Sequence, residues 1–154
     1  MIEFRPVTEY DIDHVAINMR QADINEVWAS SRATPLEALQ RSVALSEFAC
    51  SVYINGEPQV ILGLVKCGIL SRKGVPWLLG TEHALKHRRE FLKQAPIVIE
   101  EMLTICSYLF NHVHVENRES VRWLKWLGFE LEDPIPHGPH GELFQLFHMG
   151  KYNV

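Results

Sequence analysis

The chain has 154 residues, 47% of them apolar and 22% charged, a balance that fits a globular chain with its own core and excludes a disordered tail, a collagen-like fibre and a disulfide scaffold. Lys plus Arg number 15 against 19 Asp plus Glu, for a formal charge of −4. A mildly acidic chain lacks the basic face that phosphate neutralisation needs, so no nucleic-acid partner is expected.

Ile2 and Phe4 alternate with Glu3 and Arg5, the period of a short strand. Thr8 stands where a helix N-cap belongs, with Asp11 three residues on, and Ile12, Val15, Ala16 and Met19 recur at helical spacing, predicting a helix over Glu9 to Arg20. Gln21 to Arg32 reads either as a further helical turn or as a packed loop. Thr34, Pro35 and Glu37 form a second N-terminal signature, with Leu36, Leu39 and Val43 as the apolar stripe behind it. Phe48 to Ile54 and Gln59 to Gly68 read as strands joined by Asn55-Gly56, the strongest short hairpin signal. Val75 to Gly80 is a third strand, completing an antiparallel meander.

Lys86 to Phe110 has a helical pattern, with a break or kink expected near Gln94 to Pro96 because proline removes a donor and crowds the preceding turn. Asn111 to Glu116 alternates as a strand. Asn117 is placed to cap a helix that Gly128 stops. Phe129 to Leu131 begins a strand, Pro134 to Gly141 is a turn, and Leu143 to Met149 is the last strand. The order β-α-α-β-β-β-α-β-α-β-β predicts an α/β (α+β) fold with a mixed, mostly antiparallel sheet and helices on both faces, in one domain spanning residues 1–154. The step from the strand at Trp77 through the long helix to the strand at Val113 is a parallel crossover.

Cys50, Cys67 and Cys106 lie far apart without a CxxC pair. They read as three small buried side chains in a reducing compartment, not as a zinc ribbon. The N-terminus has no long apolar run, and Val60 to Leu70 is interrupted by Gly63, Lys66 and Gly68 and is too short to span a bilayer. A soluble, intracellular protein without a membrane partner is expected.

The spacing of Asn117, Ser120, Gly128 and Phe129, taken with the element order, resembles the GNAT N-acyltransferase superfamily over essentially the whole chain. A narrower resemblance rests on Trp77, the basic run Lys86 to Lys93, Ser120 to Leu124, Gly128 and Gly141 to Phe147. These are similar to the internal virion protein A-like family of short-tailed phages, over the C-terminal half.

The GNAT resemblance implies an acyl-CoA cleft between the strands before and after the long helix, flanked by Leu78 to Glu82 and by Val113 to Asn117. It places Leu78, Leu79, Asn117 and Ser120 along that cleft and implies acetyl-CoA as co-substrate. Two departures from the superfamily pattern stand out. The turn after the strand, Glu82 to Arg89, has no glycine, so backbone approach to a pyrophosphate is harder and Lys86, Arg88 and Arg89 would supply charge instead. The alternative for those three is a solvated basic helix face. Leu124 occupies the position of a common tyrosine acid and has no proton to give. Tyr108 or a histidine is a candidate replacement. Glu82 and His83 are the candidate bases; adjacent strand residues face opposite sides, so one at most faces the site. Glu82 also suits a helix N-terminus electrostatically. His112 with His114, and His137 with His140, are pairs of ligand type without a third partner, so no metal is expected. Of Trp123 and Trp126, one is expected in the core.

Two functions follow. One is acyl-CoA-dependent N-acetyl transfer by direct attack of an amine. The other is a non-catalytic protein of this fold acting in virion assembly or binding a host or phage protein, in the host cytoplasm or in the virion.

Overall fold

A computed structural model describes residues 1–151. Among them, β1 (Ile2–Pro6) leads into three consecutive helices, α1 (Glu9–Ile17), α2 (Gln21–Ser31) and α3 (Pro35–Leu45). The meander β2 (Phe48–Ile54), β3 (Glu57–Lys66) and β4 (Lys73–Gly80) follows. A 3-10 turn at Glu82–His87 precedes α4 (Arg88–Ile105), then β5 (Tyr108–His114) and α5 (Arg118–Leu127). The short strands β6 (Glu130–Leu131) and β7 (Ile135–His137) and the long β8 (Glu142–Gly150) complete the order.

The sheet runs β1-β2-β3-β4-β5-β8-β6, with β7 also on β8. Every pairing is antiparallel except β4 with β5. Local chemistry sets the element starts. Thr8 with Asp11, and Thr34 with Glu37, each form a reciprocal capping box. Asn55 and Gly56 both take positive φ, 52° and 87°, as a tight hairpin turn requires.

Alternation along β3 sorts the core into two layers. Val60, Leu62 and Leu64 pack with Met102 of α4 and Leu124 of α5. Ile61 packs on the other side with Val15 of α1, Val27 of α2 and Leu39 of α3. Leu78 and Leu79 of β4 divide in the same way, the first toward α4 and α5, the second toward α1–α3.

Several boundaries differ from the sequence reading. Gln21–Ser31 is a full helix, so three helices stand between β1 and β2. The helix over Pro96 is continuous from Arg88 to Ile105; the interruption lies earlier, as the 3-10 turn. Tyr108 and Leu109 belong to β5, because a strand that pairs with both β4 and β8 outweighs the helical spacing of its apolar residues. Part of the Pro134 to Gly141 turn is β7. Cys67 is exposed, while Cys106 is buried; all three cysteines are free. Among the described residues no helix is long and apolar enough to cross a membrane.

Candidate active site

The site arises where β4 and β5 part. They pair only through Lys73 with Tyr108 and Gly74 with Leu109. The Asn111 side chain then bridges to the Pro76 carbonyl at 2.8 Å, and beyond it the two strands separate toward their carboxyl ends. Separation leaves strand N–H groups without ladder partners, and an unpaired buried N–H is costly. Helix α2 supplies the acceptors. Its acids Asp23 and Glu26 are three residues apart and share one helix face. Asp23 Oδ2 accepts the Gly80 N–H at 3.0 Å, and Glu26 Oε1 accepts the His114 N–H at 2.8 Å. Two carboxylates thus act as a wedge between the strand ends.

The wedge is locked from beside. Arg20 donates to Asp23 Oδ1 at 3.0 Å and to Asn117 Oδ1 at 3.2 Å. Asn117 Nδ2 reaches Asp23 Oδ1 at 3.3 Å and Glu26 Oε1 at 3.4 Å. Burial pushes the Asp23 carboxyl upward against the pull of Arg20, the Gly80 N–H and Asn117. Glu26 has less opposition. Burial and the neighbouring Asp23 charge raise it to about 7, against the His114 N–H, Asn117 and Arg20. Among the described residues no hydrogen-bond donor meets Glu26 Oε2.

A cavity of about 260 Å³ passes through the gap. Glu26, Ser30, Trp77, His112 and His137 line it on the α1–α3 side; Leu78, Phe91, Ser120, Trp123 and Leu124 line it on the other. A second cavity, of about 440 Å³, adjoins it on the α4–α5 face. Leu78, Phe91, Ser120 and Trp123 belong to both, and Arg88, Arg122 and Trp126 edge the second. Trp123 packs against Phe91 at 5.5 Å between ring centres. Among the described residues its buried indole N–H meets no hydrogen-bond partner.

The residues singled out from sequence separate accordingly. Leu78 and Ser120 line both cavities, Leu79 the first and Arg88 the second. Lys86 and Arg89 are exposed and border neither. Glu82 is exposed, and its Oε1 accepts the Gln21 N–H at 3.1 Å, at the start of α2. His83 is exposed and packs on His87, 5.3 Å between rings. Both lie outside the two cavities. Asn117 is buried, and its side chain makes no cap bond to α5; it belongs to the wedge. The groove starts deeper than Leu78 to Glu82 and Val113 to Asn117, at Pro76 and Asn111, because the wedge occupies the strand ends. Tyr108 sits at the paired end of β5, away from both cavities. The histidine pairs regroup. His112 stacks on His137, His114 bonds Glu142 at 2.8 Å, and His140 stacks on Trp28. Among the described residues no group of three or more His, Cys, Asp or Glu could hold a metal ion.

Sequence reasoning missed Glu26 and Trp123 as site residues. Glu26 carries one signal, its spacing from Asp23; that both acids meet strand ends follows only from the third helix and the splay.

No protein-family model matches the chain, and no curated protein matches it. Solved structures do. YncA of Salmonella typhimurium, determined with acetyl-CoA as its cofactor, is 13% identical with a TM-score of 0.71, over 100% of this chain and 97% of that one. Spermidine N-acetyltransferase of Vibrio cholerae, in complex with CoA and spermine, is 12% identical with a TM-score of 0.64, over 97% and 95%. The ribosomal L7/L12 alpha-N-protein acetyltransferase RimL, in complex with CoA, is 8% identical with a TM-score of 0.69, over 97% and 93%. At these identities the likeness is one of fold, and the chain has the GNAT acetyltransferase fold.

Proposed function

We propose that the protein transfers an acetyl group from acetyl-CoA to the nitrogen of an amine. The observation that carries this reading is the cavity through the sheet where β4 and β5 part, with the Glu26 carboxylate at its edge. The fit of acetyl-CoA is supported by an orphaned atom. The Trp123 indole N–H is buried among residues common to both cavities and meets no partner among the described residues, and a carbonyl of the acyl-pantetheine arm is an acceptor of the kind it lacks. Leu78 and Ser120 would flank that arm, and Arg88 with Arg122 would meet the phosphates. Lys86 and Arg89 lie outside the cavities and would contribute only long-range charge. Leu79 would form part of the wall on the acceptor side. Asn117 would act at one remove, holding Asp23 and Glu26 in place.

When bound, the thioester supplies the acyl carbon: the amine nitrogen bonds to it, the carbon–sulfur bond breaks and the thiolate leaves. Glu26 would take the amine proton. A carboxylate titrating near 7 with one open oxygen is matched to that task at neutral pH. Glu82 and His83 point to other uses, at the start of α2 and in a surface histidine pair. Leu124 donates nothing, so the thiolate would take its proton from water.

Calorimetric titration with acetyl-CoA at near-physiological salt, followed by a thiol-release assay with amines, tests the reading. Saturable heat and amine-dependent thiol release are expected. The glycine-free turn Glu82 to Arg89 and Leu124 favour a second reading, a non-catalytic protein serving phage assembly or a host or phage partner, in the host cytoplasm or the virion. Absence of heat with millimolar acetyl-CoA would leave that one standing.

A further inference from the structure

The α1–α3 side of the cavity has a distinct charge inventory. Among the described residues no Lys or Arg lines the cavity, and Glu26 is its only acid. Asp23 beside it is already matched by Arg20 at 3.0 Å. His112 lies flat on His137, with ring centres 4.0 Å apart and planes within 11°. Burial, with His137 alongside, pushes His112 down, so it stays uncharged at neutral pH. Phe144 meets His137 edge-on at 5.2 Å. The Trp77 indole N–H is bonded to Ser46 Oγ at 2.7 Å, which leaves ring carbon as its free surface.

The hairpin that carries His137 is seated firmly on α2. Gly138 has φ +82°, and a Cβ there would lie 2.4 Å from the Ala29 carbonyl oxygen. His140 stacks on Trp28, 5.6 Å between rings. The chamber is therefore walled in part by flat rings, free of Lys and Arg, with one carboxylate at its edge.

We infer that the acceptor is a primary amine whose ammonium is its only charge and whose body is flat and apolar, held between Trp77 and the His112–His137 stack with its nitrogen at Glu26. The inference rests on the acetyl-transfer reading and narrows it. One ammonium finds Glu26. A second, as in a polyamine, would lose its hydration without a counter-charge. A carboxylate, as in a free amino acid, would sit near Glu26 and Asp23 with no free cation to offset it. An aromatic body gains area and ring contacts from Trp77 and the stacked imidazoles.

The test uses 2-phenylethylamine, phenylalanine and spermidine as acceptors with the full chain at pH 8 and saturating acetyl-CoA, reading thiol release. The expected result is a kcat/KM for 2-phenylethylamine at least tenfold above the other two. In His137→Lys, which places a cation in the chamber, the ratio of 2-phenylethylamine to phenylalanine should fall severalfold. Equal or better use of spermidine or phenylalanine by the unaltered protein would overturn the inference and leave acetyl transfer intact. So would acetyl-CoA binding without transfer to any of the three, or an unchanged ratio in a folded His137→Lys. A protein that shows no heat with acetyl-CoA would overturn both readings together.

Discussion

Asp11 and Glu26 are two carboxylates on the same layer of helices, each reaching a strand of the sheet, and their surroundings drive them in opposite directions. Asp11, in the first turn of α1, is fully buried. It accepts the Thr8 N–H at 3.0 Å, the Ser51 hydroxyl at 2.7 Å and the Tyr53 hydroxyl. Burial alone would raise it, but those donors outweigh burial and hold it below the usual carboxylate range. Glu26 accepts one peptide N–H and one distant amide, with Asp23 as a like charge beside it, and rises to about 7. The difference teaches that donor count, more than depth, separates a carboxylate that braces a fold from one able to exchange a proton at neutral pH.

The largest expected effect comes from Glu26→Gln, which breaks the contrast at its reactive end. Gln keeps an oxygen for the His114 N–H and loses the base. The thiol-release rate with a good amine should drop by about 100-fold or more. In the unaltered protein the rate should rise with pH around 7; the residual rate of the variant should lack that limb. Stability should move the other way. The folded value lies above the unfolded one, so the folded state holds a proton the unfolded chain loses between about pH 4 and pH 7. Ionised Glu26 therefore costs stability that is absent below about pH 4 and complete above about pH 7. Denaturant unfolding at pH 8 should find the variant more stable by about 2–3 kcal/mol, and nearly equal at pH 4. A variant with unchanged rate would assign Glu26 to the wedge alone.

Asp11→Asn breaks the other end. Asn has one oxygen where the site offers donors to two, so it should cost about 2–3 kcal/mol at pH 7. The folded value of Asp11 is depressed, so its contribution is present above the unfolded value and fades as pH falls through the folded one. The gap between variant and parent should shrink in acid. Turnover per folded molecule should be unchanged, which distinguishes this carboxylate from Glu26.

The two acids also differ in how legible they were. Asp11 was readable in part because one partner is local: Thr8 lies three residues away and the capping box is a sequence pattern, whereas Ser51 and Tyr53 lie 40 and 42 residues away and leave no local signal. The same holds for Thr34–Glu37, for the Asn55-Gly56 turn and for the strand order they frame. Glu26 gains its role from His114 and Asn117, 88 and 91 residues away, so no local pattern announces it. Asn117 shows the limit from the other side. It stands at an N-cap position and begins the resembling motif, but Arg20 and Asp23 bind its side chain in the interior. Local capping propensity yields where a buried charge cluster needs an amide to bridge it.

Trp123→Phe carries the contrast from acceptors to donors. The indole N–H, a buried donor left open beside a cavity, is the counterpart of Glu26 Oε2, an acceptor left open at the cavity edge. Removing it relieves an unpaired donor, so the ligand-free variant should be no less stable than the parent in thermal unfolding. If the site holds a carbonyl there, acetyl-CoA affinity should weaken about tenfold, the equivalent of ~1.4 kcal/mol. A purely packing role for the ring would lower stability and leave affinity alone.

The smallest effect concerns the basic run, where the same sharpening applies to two neighbouring arginines. Arg88 edges the second cavity and Arg89 does not, although both are exposed. The turn before them lacks glycine, so side-chain charge must do what close backbone approach would otherwise do. Exposed charge contacts are weak and screened by salt. Arg88→Ala should therefore reduce acetyl-CoA affinity only about threefold, with a shallower salt dependence. Arg89→Ala should match the parent in affinity, while keeping the same net charge as Arg88→Ala. Calorimetry on the pair at two salt concentrations separates local from diffuse attraction. Equal losses in both variants would mean that the run attracts the phosphates only through its summed charge, and that the second cavity does not hold them.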